Sequence, residues 1–449
     1  MSLPASNRKV TLLQATAINM IDMVGIGPFV VMPLVIQTFN NNLFIWAWVL
    51  GAITALIDGM IWSELGAKYP LAGGTYNFHR VAFGEKGGRL MSFLFVWQTS
   101  IMAPLVLASG VIGFVSYLKY FFPEGGLSYI EGKLIGVGLI MLITFCLYRK
   151  IETIGKISVF LGCVVISTIL WIIFSGFTHH QVLYTAVPTN MDEFFKAAFW
   201  IALGQASGKT VYSYLGYYNV CHLGGEIINP QKNIPRSIFI SIFGIAILYL
   251  CMNVSIVGVL PWQDAQHYEY IVSKFFEAIY GNTIARIATV LILIVAFSSL
   301  FAVLLGYSRV PYAAALDGNF FHIFGKLHPT RNFPYISLLF IAGLGIVFSF
   351  AYSLKPVIAA ILAMRIPVQF MAQGVGIILL RKKYGSSSLP FKMWLYPIPI
   401  IVSLAIWAFL FYHTQNMAYW GTAIALTGVL VYFIVLNKKP RPTTTPTPD

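Results

Sequence analysis

The chain has 449 residues, 58% of them hydrophobic and only 10% charged, against roughly 25% charge in ordinary soluble domains. A mean hydropathy of +0.77 excludes a soluble globular domain and makes this an integral membrane protein. The formal net charge of +14 would suit nucleic acid, but the basic residues are dispersed between apolar runs, so they bear on topology and no nucleic-acid partner is expected.

Crossing about 30 Å of hydrocarbon at 1.5 Å per residue takes about 20 apolar residues. Such runs recur at roughly 12 to 38, 43 to 66, 88 to 121, 132 to 148, 155 to 177, 196 to 224, 236 to 260, 283 to 312, 334 to 352, 356 to 381, 393 to 412 and 416 to 437. The expected fold class is therefore an all-α membrane protein with twelve transmembrane helices. The first run has no small-residue cleavage site and is read as a mature helix, not a signal peptide. The expected organisation is a cytoplasmic N-terminus at 1–11, a transmembrane domain at 12–437 and a disordered, Pro/Thr-rich cytoplasmic tail at 438–449.

With both termini inside a cell (plasma or inner) membrane, 21 of the 29 Lys and Arg fall on the cytoplasmic side. Lys119, Lys133, Lys196, Lys274, Arg286 and Lys355 fall outside, and Lys209 and Arg365 fall within helices. That is the positive-inside asymmetry. Cys146, Cys163, Cys221 and Cys251 all lie in predicted helices, leaving none in an outer loop for a disulfide.

The first run contains IDMVGIGPFVVMP at 21–33. Gly25 and Gly27 weaken the helix, and Pro28 lacks an N–H and disfavours helical geometry at Gly27, so backbone groups near Gly25 lose their partners. In hydrocarbon such groups survive only where protein or a water-lined cavity satisfies them. The N–H groups of Gly27 and Phe29 would suit a carboxylate, and the carbonyls ending the inner half would suit an ammonium or a cation. A proline kink is the bland alternative. A second interruption, SGKTVYSYLGYYNVCHLGGEIINPQKNIPRS at 207–237, lies five helices later. It favours a five-plus-five inverted repeat with two extra helices and discontinuous helices 1 and 6.

Four stretches resemble the amino acid/polyamine/organocation superfamily, and within it the L-amino acid transporter branch. They are GIGPF at 25–29, ELGAKYPLAGGTYNFHRVAFG at 64–84, LGYYNVCHLGGEIINPQKNIPRSI at 215–238 and SRVPYAAALDGNFF at 308–321. The resemblance implies a leucine-transporter-like fold and alternating access, in which helices one, two, six and seven rock against a scaffold. It implies a substrate carboxylate near Gly25, Ile26 and Gly27, and an ammonium near carbonyls of Met23, Val24, Tyr212, Ser213 and Leu215. Tyr212 falls at the family's aromatic gate, Tyr218 beside the substrate side chain, and Ser299 with Ser298 where some relatives hold sodium. Gly162 stands where many proton-linked or exchanging relatives carry a helix-five lysine, and Gly225 replaces the first acid of an E-E pair, leaving Glu226. The outer loop LKYFFPEGGLSYIEG has no cysteine, so no disulfide-linked heavy chain is expected.

Charges at bilayer depth cost at least about 2.5 kcal/mol and mark function or pairing. Asp22, three residues before Gly25, would bind an ammonium, a coupling cation or a proton, or else pair with Lys209 or Arg365. Lys209, three residues before Tyr212, would meet a carboxylate or balance charge, or else snorkel. Asp58 and Arg365 read as structural, with an ion path as the alternative. Trp46, Trp48, Trp394 and Trp420 read as interfacial anchors. Tyr212, Tyr214, Tyr217 and Tyr218 cluster at a break. The histidines, His79 among them, read as loop residues, with no spacing for a metal.

Together these residues point to a secondary active transporter, a permease or exchanger of amino acids, with no catalytic groups and no cofactor beyond a coupling Na+ or H+. A transporter of polyamines or other organic cations, and a transporter-like sensor or channel, are the alternatives.

Overall fold

The computed structural model describes residues 8–122, 126–181, 191–351, 354–387, 389–414 and 416–436. The tail expected at 438–449 lies outside the described residues. Among the described residues the chain is helical throughout, with β-structure limited to two isolated bridges, Val10 with Ile227 and Ala72 with Leu223.

Helix α1 (Leu12–Met23) starts in a capping box: Gln14 N–H donates to Thr11 Oγ1 and Thr11 N–H to Gln14 Oε1. It stops at Met23, and α2 (Gly27–Phe39) restarts with Pro28 in its first turn, where a missing N–H costs nothing. The two axes are bent by 41°. α3 (Ile45–Lys68), α4 (Thr75–Ala82), α5 (Gly84–Leu118), α6 (Tyr129–Leu147) and α7 (Ile151–Thr178) follow. α8 (Ala197–Tyr214) breaks into the short α9 (Asn219–His222), and α10 (Pro230–Val259) begins six residues earlier than the apolar run.

After α11 (Trp262–Ala265) and α12 (Ile271–Tyr280) come α13 (Asn282–Tyr307), α14 (Arg309–Leu316) and α15 (Tyr335–Ala351). α16 (Leu354–Arg365) and α17 (Ala372–Tyr384) are joined by a π-helical turn, Ile366–Met371, which contains Pro367. α18 (Ile398–Tyr412) starts five residues later than expected, and α19 (Asn416–Val431) ends the bundle before a second π-turn, Tyr432–Leu436. Among the described residues, eight helices are long and apolar enough to cross a membrane, or nine with the bent pair α1–α2. α15 and α18 are apolar but have only 17 and 15 residues. α8 is diluted by Gln205, Ser207, Lys209 and Thr210 and is not among them.

The interrupted helices lie at the centre. α1 packs on α7, α10 and α13; α2 packs on α8; α3 packs on α8 and α10. α6 and α7 lie toward the outside and expose Phe145, Phe160 and Phe174. Gly162 of α7 faces α1, and a Cβ there would sit 3.4 Å from that of Ala17, in ordinary contact.

Two expectations are corrected. Trp48 is no interfacial anchor: it is fully buried, edge-on to Tyr214 and Tyr249. His79 is no loop residue: it is buried in α4 with Nε2 2.7 Å from the Val368 carbonyl. Trp394 and Trp420 are exposed, as anchors require.

Asp58 is buried in α3 and accepts hydrogen bonds from Tyr217 Oη at 2.6 Å, Trp62 Nε1 at 2.8 Å and Trp407 Nε1 at 3.4 Å. It ties α3 and α18 to the break after α8. Asp58→Ala strands those donors in an apolar interior and is expected to remove roughly 3 kcal/mol. The measurement is thermal unfolding of the detergent-solubilised chain; an unchanged melting temperature contradicts this role.

Candidate functional site

At the first break the chain leaves helical geometry for three residues. Val24 N–H still reaches the Met20 carbonyl at 2.8 Å, and Phe29 and Val30 N–H both reach the Ile26 carbonyl at 3.2 Å. Among the described residues no acceptor meets the amides of Gly25, Ile26 and Gly27. Phe29, expected to offer a free N–H, is thereby corrected, because its amide closes the first turn of α2.

The second break follows Tyr214. Leu215 is extended, and Gly216 adopts φ 127, a conformation open to glycine. A Cβ on Gly216 would lie 2.7 Å from Met23 N and 2.9 Å from Asp22 Cγ. The two breaks therefore touch, and any side chain at 216 would force them apart.

Side chains bind the breaks to each other. Tyr249 of α10 donates its hydroxyl to the Met23 carbonyl at 2.8 Å and lies 3.2 Å from the Ser213 carbonyl. One hydroxyl hydrogen cannot saturate two carbonyls with two lone pairs each, so both keep accepting capacity. Asn219 donates Nδ2 to Asp22 Oδ2 at 2.9 Å and to the Ala302 carbonyl at 2.8 Å. Asn19 accepts the Val220 N–H at 2.9 Å. Ser299 donates to the Asp22 carbonyl at 3.3 Å, and a Cβ on Gly25 would be 2.5 Å from Ser299 Oγ.

Around these groups lies a cavity of about 50 Å³. Of the residues expected at the site, Asp22, Met23, Gly25, Ile26, Gly27, Tyr212, Ser213, Leu215, Tyr218 and Ser299 line it. Val24, Ser298 and Lys209 do not. Val24 is buried in the packing, Ser298 donates to the Ile294 carbonyl at 2.7 Å, and Lys209 Nζ donates to Thr38 Oγ1 at 2.6 Å. Lys209 instead borders a separate cavity of about 300 Å³ walled by Leu34, Leu362 and His413. Of the four clustered tyrosines, Tyr212 and Tyr218 line the central cavity, while Tyr214 and Tyr217 pack into the core. Tyr212 shares a 2.7 Å hydrogen bond with Ser109 of α5. Tyr218 stacks on Trp62 at 4.5 Å.

Arg365 also belongs to the wall of this cavity. Read from the sequence as a structural charge, it lines the cavity, is buried, and donates Nη1 to Tyr218 and Nη2 to Tyr307. Its guanidinium stands 5.7 and 5.3 Å from those two ring centroids. No ion pair joins it to Asp22 among the described residues. Tyr249, Asn219 and Tyr307 were also missed. No group of three or more His, Cys, Asp or Glu converges for a metal ion among the described residues.

On the side of the cavity toward the chain's first described residues, the bundle is tied shut. Lys9 and Val10 N–H both reach the Glu226 carbonyl at 2.9 Å, and Ile228 N–H reaches that of Val10 at 2.9 Å. Glu226 pairs with Arg309 at 3.1 Å, and Asp317 accepts from Arg80 at 2.9 Å and Tyr76 at 2.7 Å.

The Amino acid permease family model matches residues 10–436. The branched-chain amino acid permease BcaP of Bacillus subtilis (strain 168) is 24% identical, the alignment covering 96% of this chain and 93% of the relative. The cystine/glutamate transporter of Homo sapiens is 26% identical over 97% of this chain and 87% of its own length. The serine/threonine exchanger SteT of Bacillus subtilis (strain 168) is 23% identical over 96% and 98%. These relatives are permeases, transporters and exchangers, not enzymes. Matched from end to end in this way, the chain belongs to the amino acid permease family.

Proposed function

We propose that this protein is a secondary active transporter of amino acids, a permease or exchanger working by alternating access in the cell membrane. In this reading the chain crosses twelve times, with α8–α9, α15 and α18 as crossings and both termini cytoplasmic. The first ten crossings form a five-plus-five inverted repeat of the leucine-transporter-like kind.

One observation carries the reading. The amides of Gly25, Ile26 and Gly27 are without acceptors at the start of α2 and beside a buried cavity, where the positive end of the helix dipole favours a carboxylate. The carbonyls of Met23 and Ser213, each with a lone pair beyond Tyr249, suit the ammonium. A zwitterion fits both. The Arg365 guanidinium at the same cavity weighs against a polyamine, because two like charges would share a low-dielectric site.

The cavity of about 50 Å³ holds only a few waters. Admission of an amino acid therefore requires the bundle to open, on one side past Tyr212–Ser109 and on the other past Glu226–Arg309 and Arg80–Asp317. Those contacts are the gates of this reading. Asp22 and Ser299 are the candidate coupling groups, for sodium, for a proton, or for neither in an obligate exchanger. Ser298 and Lys209 bond elsewhere and are left out of the coupling path. No disulfide-linked partner is part of the proposal.

Three outcomes are expected. Purified protein in liposomes takes up a labelled amino acid, competed by other amino acids and not by spermidine, with sodium and pH gradients imposed separately; absence of saturable amino acid uptake under every gradient and in counterflow defeats the reading. A Cβ at Gly27 would lie 3.5 Å from the Tyr212 ring and 3.6 Å from Ser213 Oγ, so Ala fits and Val intrudes. Gly27→Val should weaken apparent affinity by about tenfold or more with little change in melting temperature, measured by ligand-induced thermal shift. Asp22→Asn should abolish whichever ion dependence the wild type displays; uptake with that dependence intact removes Asp22 from coupling.

A further inference from the structure

A third cavity, of about 510 Å³, opens on the outside of the bundle between α6 and α15. Its walls are apolar, with Met141, Phe145, Leu339 and Ile346 lining it, and Met141, Phe145 and Leu339 are exposed on the surface. A Cβ on Gly343, midway along α15, would meet nothing within 4 Å. The groove is therefore open beside Gly343, on the outer face of the bundle.

One end of the groove is different. Tyr148, which caps α6, offers its carbonyl to two guanidinium groups at once: Arg149 Nη1 donates to it at 3.3 Å, and Arg331 Nη1 donates to the same oxygen. Two positive charges are thus held on one atom, and neither has a carboxylate within ion-pair distance among the described residues. The acid nearest in sequence, Glu152, is paired with Lys9. The arginines are held in place by rings, Arg149 at 4.9 Å from the Phe145 centroid and Arg331 at 5.8 Å from that of Tyr148. The Tyr148 ring is itself packed edge-on against Phe333 at 4.8 Å. Adjacent, mutually repelling and only half-buried, these forks are open to an anion, and guanidinium pairs match phosphate oxygens.

We propose that this groove is a binding site for an anionic phospholipid, its phosphate held between Arg149 and Arg331 and one acyl chain lying along Gly343. Basic pockets between transmembrane helices select anionic headgroups by the same physics. Because Lys9 reaches Glu152 beside the mouth, the headgroup lies at the N-terminal end of the bundle, on the side tied by Glu226–Arg309. The site is separate from the central cavity, and its occupation does not depend on which amino acid is carried.

The test uses the full chain purified in mild detergent, titrated with dioleoyl phosphatidylglycerol or dioleoyl phosphatidylcholine and followed by melting temperature and native mass spectrometry. The glycerol lipid should raise the melting temperature by about 4 °C or more beyond the choline lipid and remain bound in the mass spectrum. Arg149→Gln with Arg331→Gln should remove most of that difference. Gly343→Leu keeps both arginines, fills the groove at that point, and should weaken the effect severalfold while the lipid-free melting temperature stays put; it decides the matter if the arginine variant does not fold. Equal responses to the two lipids, full retention of the difference in either variant, reproduction of the shift by millimolar inorganic phosphate, or closure of the groove by a second copy of the chain overturns the proposal.

Discussion

The hydroxyl of Tyr249 reaching the carbonyls of Met23 and Ser213 is the contact on which the centre of this molecule depends. A backbone that stops being helical inside hydrocarbon leaves polar groups that cost several kcal/mol each if unpaired. Here each interruption supplies part of what the other lacks. Tyr249 serves a carbonyl from both, Asn219 after the second break holds the carboxylate of Asp22 before the first, and Gly216 brings the two backbones into contact. What remains unserved, the three amides from Gly25 to Gly27, is gathered at one wall of one cavity.

The same economy explains why the motifs spread between residues 64 and 321 belong together. Tyr76 and Arg80 from the second stretch bond Asp317 from the fourth, and Glu226 from the third pairs with Arg309 from the fourth. Gly73 N–H meets the His222 carbonyl at 2.9 Å, and a bridge joins Ala72 to Leu223. Residues nearly 250 positions apart in the chain thus converge on one closure. Since each pair is at least partly screened from water, parting them costs more than parting surface ion pairs would.

Legibility in the sequence followed the range of the physics involved. The interruption at Gly25–Gly27 was readable because its cause is local: two glycines and a proline within four residues. The second was readable from glycine among aromatics, and the cavity-lining set around it largely followed. Tyr249 was invisible, since a tyrosine in a continuous apolar helix is indistinguishable from a packing residue until its partners are known. Arg365 was legible as a buried charge but not as part of the cavity wall; the depth of a charge is written in hydropathy, whereas the direction it faces is set by the turn that follows it. Phe29 failed for a simpler reason, because a helix restarting at Gly27 can close its first turn on Ile26. Trp48 failed because proximity to a span end does not reveal that other helices cover the same surface, and His79 because the stretch between two apolar runs folds into α4 and packs inward.

The π-helical turn after Arg365 has an architectural meaning of its own. A π-turn closes on i→i+5 bonds, and the one residue it inserts rotates everything downstream by about 100° relative to a regular continuation. On the near side of the turn the guanidinium is delivered to the tyrosine pair; within the turn Phe370 lies flat on Trp407, 4.0 Å between centroids and 3° between planes, and on the far side Gln373 accepts the Thr75 hydroxyl at 2.7 Å. Without the extra residue the two azimuths could not be met together, so the tenth segment works as two rods keyed at different angles. The stacked ring at the joint thus anchors the bend without sharing the rod that carries the cation.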